Sequence, residues 1–147
     1  MPPEVSGSLY VIAIVAGQRV AVDAADVAAV VDLAQIVPVP LAPPNIRGIC
    51  ALRSHILTVV DLAGALGQPC EKISPRAIRM EIDGHHYAFV VASVEQVEPI
   101  LEKIHPIDLS IGRGWAPAVT GRVQTESGTA LLIEPRRLIH ASAEMAQ

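Results

Sequence analysis

Five histidines, at positions 55, 85, 86, 105 and 140, and two cysteines, Cys50 and Cys70, are the side chains of this sequence best suited to holding a metal or attacking a substrate. Zinc sites draw their ligands from short His and Cys spacings, and no H-x-H, H-x-x-x-H or C-x-x-C occurs here. His85 and His86 adjoin the Asp83-Gly84 turn, where strand neighbours point to opposite faces, so both are expected to be solvated hairpin residues. Ser54 and His55 face apart for the same reason, and no G-x-S-x-G elbow presents a serine nucleophile. Cys50 lies in the apolar run IRGICAL beside no activating partner, so a buried, inert thiol is expected. Gly112-Arg113-Gly114-Trp115 lacks both the Lys-Ser/Thr of a phosphate loop and a G-x-G-x-x-G continuation. Asp61 and Glu134 each follow an apolar strand and suit the first turn or N-cap of a helix better than acid–base work. No catalytic constellation, metal site or cofactor site emerges, and the chain reads as a non-enzyme.

The composition describes the elements that must carry these residues. Valine and isoleucine fill 33 of 147 positions, broken up by 12 prolines and 10 glycines. β-Branched residues in short stretches between breakers favour an all-β protein. The hydrophobic fraction of 51% against 18% charged residues excludes an intrinsically disordered chain. Net charge is −4, and the basic residues form no patch with interleaved aromatics, so no nucleic-acid partner is expected. Apolar runs such as Leu9–Ala16 are far shorter than a bilayer span, and MPPEVSGS has no signal-peptide pattern. A cytoplasmic protein with reduced thiols and no direct membrane insertion is the expectation.

An internal repeat organises the chain. With Gly17 set over Gly84, an offset of 67, GQRVAVDAADVAAVV lies over GHHYAFVVASVEQVE with five of fifteen pairs identical. Val11 and Val15 then fall over Ile78 and Ile82. With Gly48 set over Gly121, an offset of 73, Val59-Val60-Asp61 falls over Leu132-Ile133-Glu134. The six additional residues are assigned to the loop region Ile104–Pro117. Each copy predicts a strand, a glycine turn, a second strand and a helical turn bearing V-x-x-V, followed by a further pair of strands. Two small, strongly bent barrels of about five strands each result, and a unit of that size buries too little surface to be stable alone. Residues 1–147 are therefore expected to form one cooperative module, closed by a short helix from Pro135.

The segment LAPPNIRGICALRSHILTVVDLAGALG, residues 41–67, resembles the chemotaxis coupling proteins, the CheW-like adaptors. Their pattern runs approximately P-x-x-P-x-x-(I/V)-x-G-(V/I)-x-x-L-R-G-x-(I/V)-x-P-V-x-D-L, with a glycine a few residues on. Pro40, Pro44, Ile46, Gly48, Ile49, Leu52, Arg53, Val59, Asp61, Leu62 and Gly67 fall in its register. The resemblance extends through Val20–Val30 and through AVTGRVQTESGTALLIEPRRLI. It implies a fold of two intertwined five-stranded SH3-like barrels. It also implies a non-enzymatic scaffold linking the cytoplasmic tips of methyl-accepting chemoreceptors to the regulatory domain of a CheA-type histidine kinase. Partner-binding positions carried over by the resemblance are Arg53, Gly48, Gly121, Val27 and Val30. For the glycines a tight-turn role is the alternative, and for the valines core packing.

Three departures stand out. Ser54 replaces the glycine after the arginine, Thr58 the proline before the V-x-D-L valine, and Ala29 the carboxylate that can pair with the arginine. The second copy, Ala88 to Val94, also lacks the family's Asp. A divergent adaptor is one reading. A decoy that binds receptor or kinase without coupling them is the other.

Overall fold

A computed structural model describes residues 9–42, 45–68, 75–104 and 118–139. The Gly112–Trp115 segment, Cys70, His105, His140 and most of the loop assigned to the additional residues lie outside them. Eleven strands are present: β1 (Leu9–Val15), β2 (Gln18–Asp23), β3 (Ala29–Asp32), β4 (Ile46–Leu52), β5 (His55–Asp61), β6 (Arg76–Ile82), β7 (His85–Val90), β8 (Ser93–Pro99), β9 (Glu102–Ile104), β10 (Val119–Thr125) and β11 (Gly128–Ile133). Among the described residues helical structure is confined to a 3-10 turn at Ala24–Asp26, one turn at Leu62–Ala65 and residues 135–139. The all-β expectation holds.

The strands form two sheets, ordered β8-β1-β2-β11-β10-β9 and β3-β6-β7-β5-β4. The repeat seen in the sequence is exact at this level, since β1, β2, β4 and β5 correspond to β6, β7, β10 and β11. Neither sheet is built from one copy, however. Each takes its first hairpin from one copy and its remaining strands from the other, joined through the parallel pairs β2–β11 and β5–β7. Leu131 opposite Val20 and Thr58 opposite Tyr87 are the same pairing in the two lobes.

Alternation gives the central strands two buried faces of different kinds. One face of the second sheet encloses a small core of Leu33, Cys50, Leu57, Val59, Ala77, Ala88 and Val90, to which all five strands or their flanks contribute. The first sheet does the same around Ile12, Ala21, Val123 and Ala130. The opposite faces meet in a larger shared core that includes Val11, Val20, Val60, Ile78, Phe89 and Ile133. Two barrel-like lobes thus share a common interior, and Cys50 is buried as expected.

The V-x-x-V segments differ from the sequence expectation. Only Ala24–Asp26 is helical; Val27 follows it, Val30 lies in β3, and Val94 and Val97 both lie in β8. The register of β8 on β1 shifts between Val94 opposite Ala13 and Gln96 opposite Ile12. This bulge inserts one residue and puts positions three apart on the same face, so the shared face predicted from helical spacing arises in a strand. Val27 and Val94 pack against the shared core, while Val30 and Val97 remain 37% and 53% exposed at its rim.

Candidate functional site

The β4–β5 hairpin turns on two residues, Arg53 and Ser54, between paired Leu52 and His55. Positive φ at both, 49° and 71°, marks a type I′ turn, the form whose twist suits a two-residue hairpin. The first-hairpin turns of the two copies, Ala16-Gly17 and Asp83-Gly84, have the same sign pattern and place glycine second. Here Ser54 occupies that place, so the backbone keeps the left-handed conformation rather than remodelling. Arg53 is exposed at the hairpin tip and makes no ion pair among the described residues. A five-stranded sheet fixes its base.

Gly48 and Gly121 are buried, not on the surface. Each sits where a register shifts, between Ile46 and Gly48 in β4 and between Val119 and Gly121 in β10, so the repeat's anchors are equivalent bulges. Gly48 has φ 144°, and a Cβ there would lie 2.1 Å from the Val37 carbonyl oxygen. That close approach lets Val37 exchange hydrogen bonds with Ile49 at 2.8 and 2.9 Å, covering the outer edge of β4. The pattern glycine at this position is required by the backbone.

Val27 lines a groove between the lobes with Asp26, Met80, Asp83, Glu134 and Arg136, about 550 Å³ in volume. It adjoins a second hollow bounded by Tyr10, Asp23 and Leu132. The groove's charge is predominantly acidic. Burial and then the negative charges of Asp23 and Asp26 push the Tyr10 hydroxyl above its ordinary pKa. Val30 stands on the neighbouring strand, opposite Ile78. The five positions drawn from the resemblance thus divide into an exposed arginine, two valines bordering the shared core, and two buried bulge glycines.

Asp61 caps Leu62–Ala65 as anticipated, accepting from the Gly64 amide at 3.1 Å, and is fully buried. Arg47 donates to its other oxygen at 3.0 and 3.3 Å. This pair locks the end of β5 to β4, and no spacing rule marked Arg47 for it. Glu98 was also unforeseen. Only 4% exposed, it accepts from the Ser127 amide at 3.2 Å and hydroxyl at 2.5 Å, and from the Gln96 amide. Burial alone would raise its pKa. The hydrogen bonds of Ser127, Gln96 and Thr125 outweigh that and hold it down to about 2. His86 corrects a further expectation: it is half-buried with its ring centroid 4.4 Å from that of His55, whereas His85 is exposed.

Among the described residues no group of His, Cys, Asp and Glu could hold a metal ion, and no helix is long and apolar enough to cross a membrane. The constellation is instead a rigid scaffold that displays a hairpin tip and a groove.

Comparison with known proteins agrees with this geometry. No curated protein matches the chain. The crystal structure of the scaffolding protein TtCheW from Thermoanaerobacter tengcongensis is similar, with a TM-score of 0.76 and 29% sequence identity over 89% of this chain and 86% of that one. The family model of the CheW-like domain matches residues 9–143. With the match spanning both lobes, the chain belongs to the CheW-like family of chemotaxis scaffold and adaptor proteins.

Proposed function

We propose that this protein is a non-enzymatic adaptor coupling a chemoreceptor's cytoplasmic tip to the regulatory domain of a CheA-type histidine kinase. Membership of the CheW-like family, across both lobes, is the observation that carries this reading. At residue level it is supported by Arg53, an exposed arginine on a two-residue turn whose backbone is held by its flanking strands. Docking one patch against another is faster and tighter when such a group is held in place beforehand. The groove beside Val27 supplies a further recess, lined in part by Asp83 and Gly84 of the β6–β7 turn. Its apolar component is aliphatic, from Val27, Met80 and nearby Val30, which suits a modest, reversible contact rather than an aromatic hot spot.

Pull-down with the cognate kinase and receptor tests the proposal, and binding of neither overturns it. Arg53→Glu is expected to weaken kinase binding by about tenfold while leaving the melting temperature unchanged. A drop in melting temperature instead assigns Arg53 to the fold. Kinase autophosphorylation measured with receptor present separates a coupler, which raises it, from a decoy, which lowers it.

A further inference from the structure

Arg79 is placed where the fold has no use for a charge. Its backbone in β6 lies opposite Ala29 on β3 and Ala88 on β7, on the face of the second sheet that encloses the core of Leu33, Cys50 and Leu57. That core belongs to the first lobe, the one built mainly from the first copy. The equivalent residue in the other lobe is Ile12, fully buried in that lobe's core. From between two alanines the Arg79 side chain extends to His55 on β5, with Nη2 3.0 Å from Nδ1. Arginine only donates, so Nδ1 accepts and His55 carries its proton on Nε2. The His86 ring packs 4.4 Å away against His55. Among the described residues no carboxylate pairs with Arg79; the residue is half-buried, and its Nε is buried without an acceptor. Glu81, opposite His86 in register, makes no ion pair with it.

The second lobe shows how such an end is closed. There Glu98 supplies a buried carboxylate, and Ser127, which donates to it, in turn accepts from Arg19. Arg19 also pairs with Glu95 at 3.0 Å, although its Nε, like that of Arg79, has no acceptor. The first lobe has Val31 where Glu98 stands, and so holds the cation without an internal anion. An unsatisfied buried donor is costly, more so when charged, and a guanidinium is the group that best receives a carboxylate or phosphate. We propose that Arg79, flanked by His55 and His86, is an oxyanion-receiving site, filled from outside by a carboxylate or phosphate oxygen. The source is either a free anion or an acidic side chain of a docked segment. The site adjoins the hairpin bearing Arg53 but rests on Arg79's own surroundings, so its failure leaves the coupling proposal standing.

The test is titration of the whole isotope-labelled protein with inorganic phosphate, and separately with a short glutamate-rich peptide. Sodium chloride holds ionic strength constant, and the Arg79 Nε–H and the His55 and His86 ring resonances are followed. A saturable shift with phosphate identifies a free anion as sufficient. A shift with the peptide alone identifies an acidic side chain. Arg79→Met is expected to keep or raise the melting temperature and weaken the response about tenfold or more. Ala29→Glu, which supplies a carboxylate opposite Arg79, is expected to raise the melting temperature and abolish the response. No saturable shift with either probe, or an undiminished shift in Arg79→Met, overturns the proposal.

Discussion

Ser54 is an exposed residue held in a disfavoured backbone conformation. A non-glycine residue in the left-handed region is disfavoured by Cβ contact with the backbone, and in this turn both central residues are non-glycine, with φ of 49° and 71°. Ladder hydrogen bonds on either side, beginning at Leu52 and His55, hold them there. Ser54→Gly is expected to stabilise the fold by about 0.5–1 kcal/mol, the left-handed penalty less glycine's greater entropy loss, read as a higher urea midpoint at unchanged m-value. An unchanged or lower midpoint would mean that the serine side chain contributes more than its backbone costs. The departure at Ser54 was visible in the sequence. Its outcome was not, because whether a chain remodels or tolerates strain depends on how firmly the flanking strands are paired.

Among the elements, the two hairpins that close the lobes show how one fold position serves two chemistries. The β4–β5 turn projects Arg53, whereas the β10–β11 turn is tied down through Ser127 and Glu98. Folded-state Glu98 titrates near 2, below the ordinary 4.5, so its contribution is fully present above about pH 4.5 and is lost as pH falls toward 2. The melting temperature is expected to drop across that window. Glu98→Gln is expected to cost about 1–3 kcal/mol at neutral pH and to flatten the acid limb, while an unaltered limb would place the titrating group elsewhere. Hairpins were legible because glycine and alternation encode them locally. The bulges at Gly48 and Gly121 were not, since a glycine at a bulge and a glycine at a turn look alike in sequence. The i, i+3 valines predicted a shared face on a helical turn; in β8 a bulged strand, which produces the same spacing, supplies it for Val94 and Val97 instead. Arg79 and Glu98 gave no signal because His55 and Ser127, which they meet, come from strands or turns distant in the sequence. Arg47 gave none because its pairing with Asp61 depends on the register of the bulged β4–β5 hairpin.

At the scale of the whole molecule, the repeat announced two equivalent halves, and the lobes are not those halves. Periodicity records which segments are alike. It carries no information on which copy a strand pairs with, because both copies present the same faces in the same register. The resemblance to CheW-like proteins, not the residue pattern, pointed to intertwining. Exchange of the first hairpins makes the halves interdependent. Residues 1–67 and 68–147 prepared separately are each expected to show little β-sheet circular dichroism, and to recover it on mixing. A fragment that folds by itself would contradict one cooperative unit.

The exchange also fixes an order of events during synthesis. The second sheet has all its strands once β7 has left the ribosome, but β1 and β2 must wait for β8, β10 and β11 to complete theirs. Strand pairings this distant in sequence form slowly and leave apolar edges uncovered meanwhile. The N-terminal hairpin, with Val11, Val15, Val20 and Val22 destined for the interior, is therefore the segment of the nascent chain most in need of a chaperone's protection.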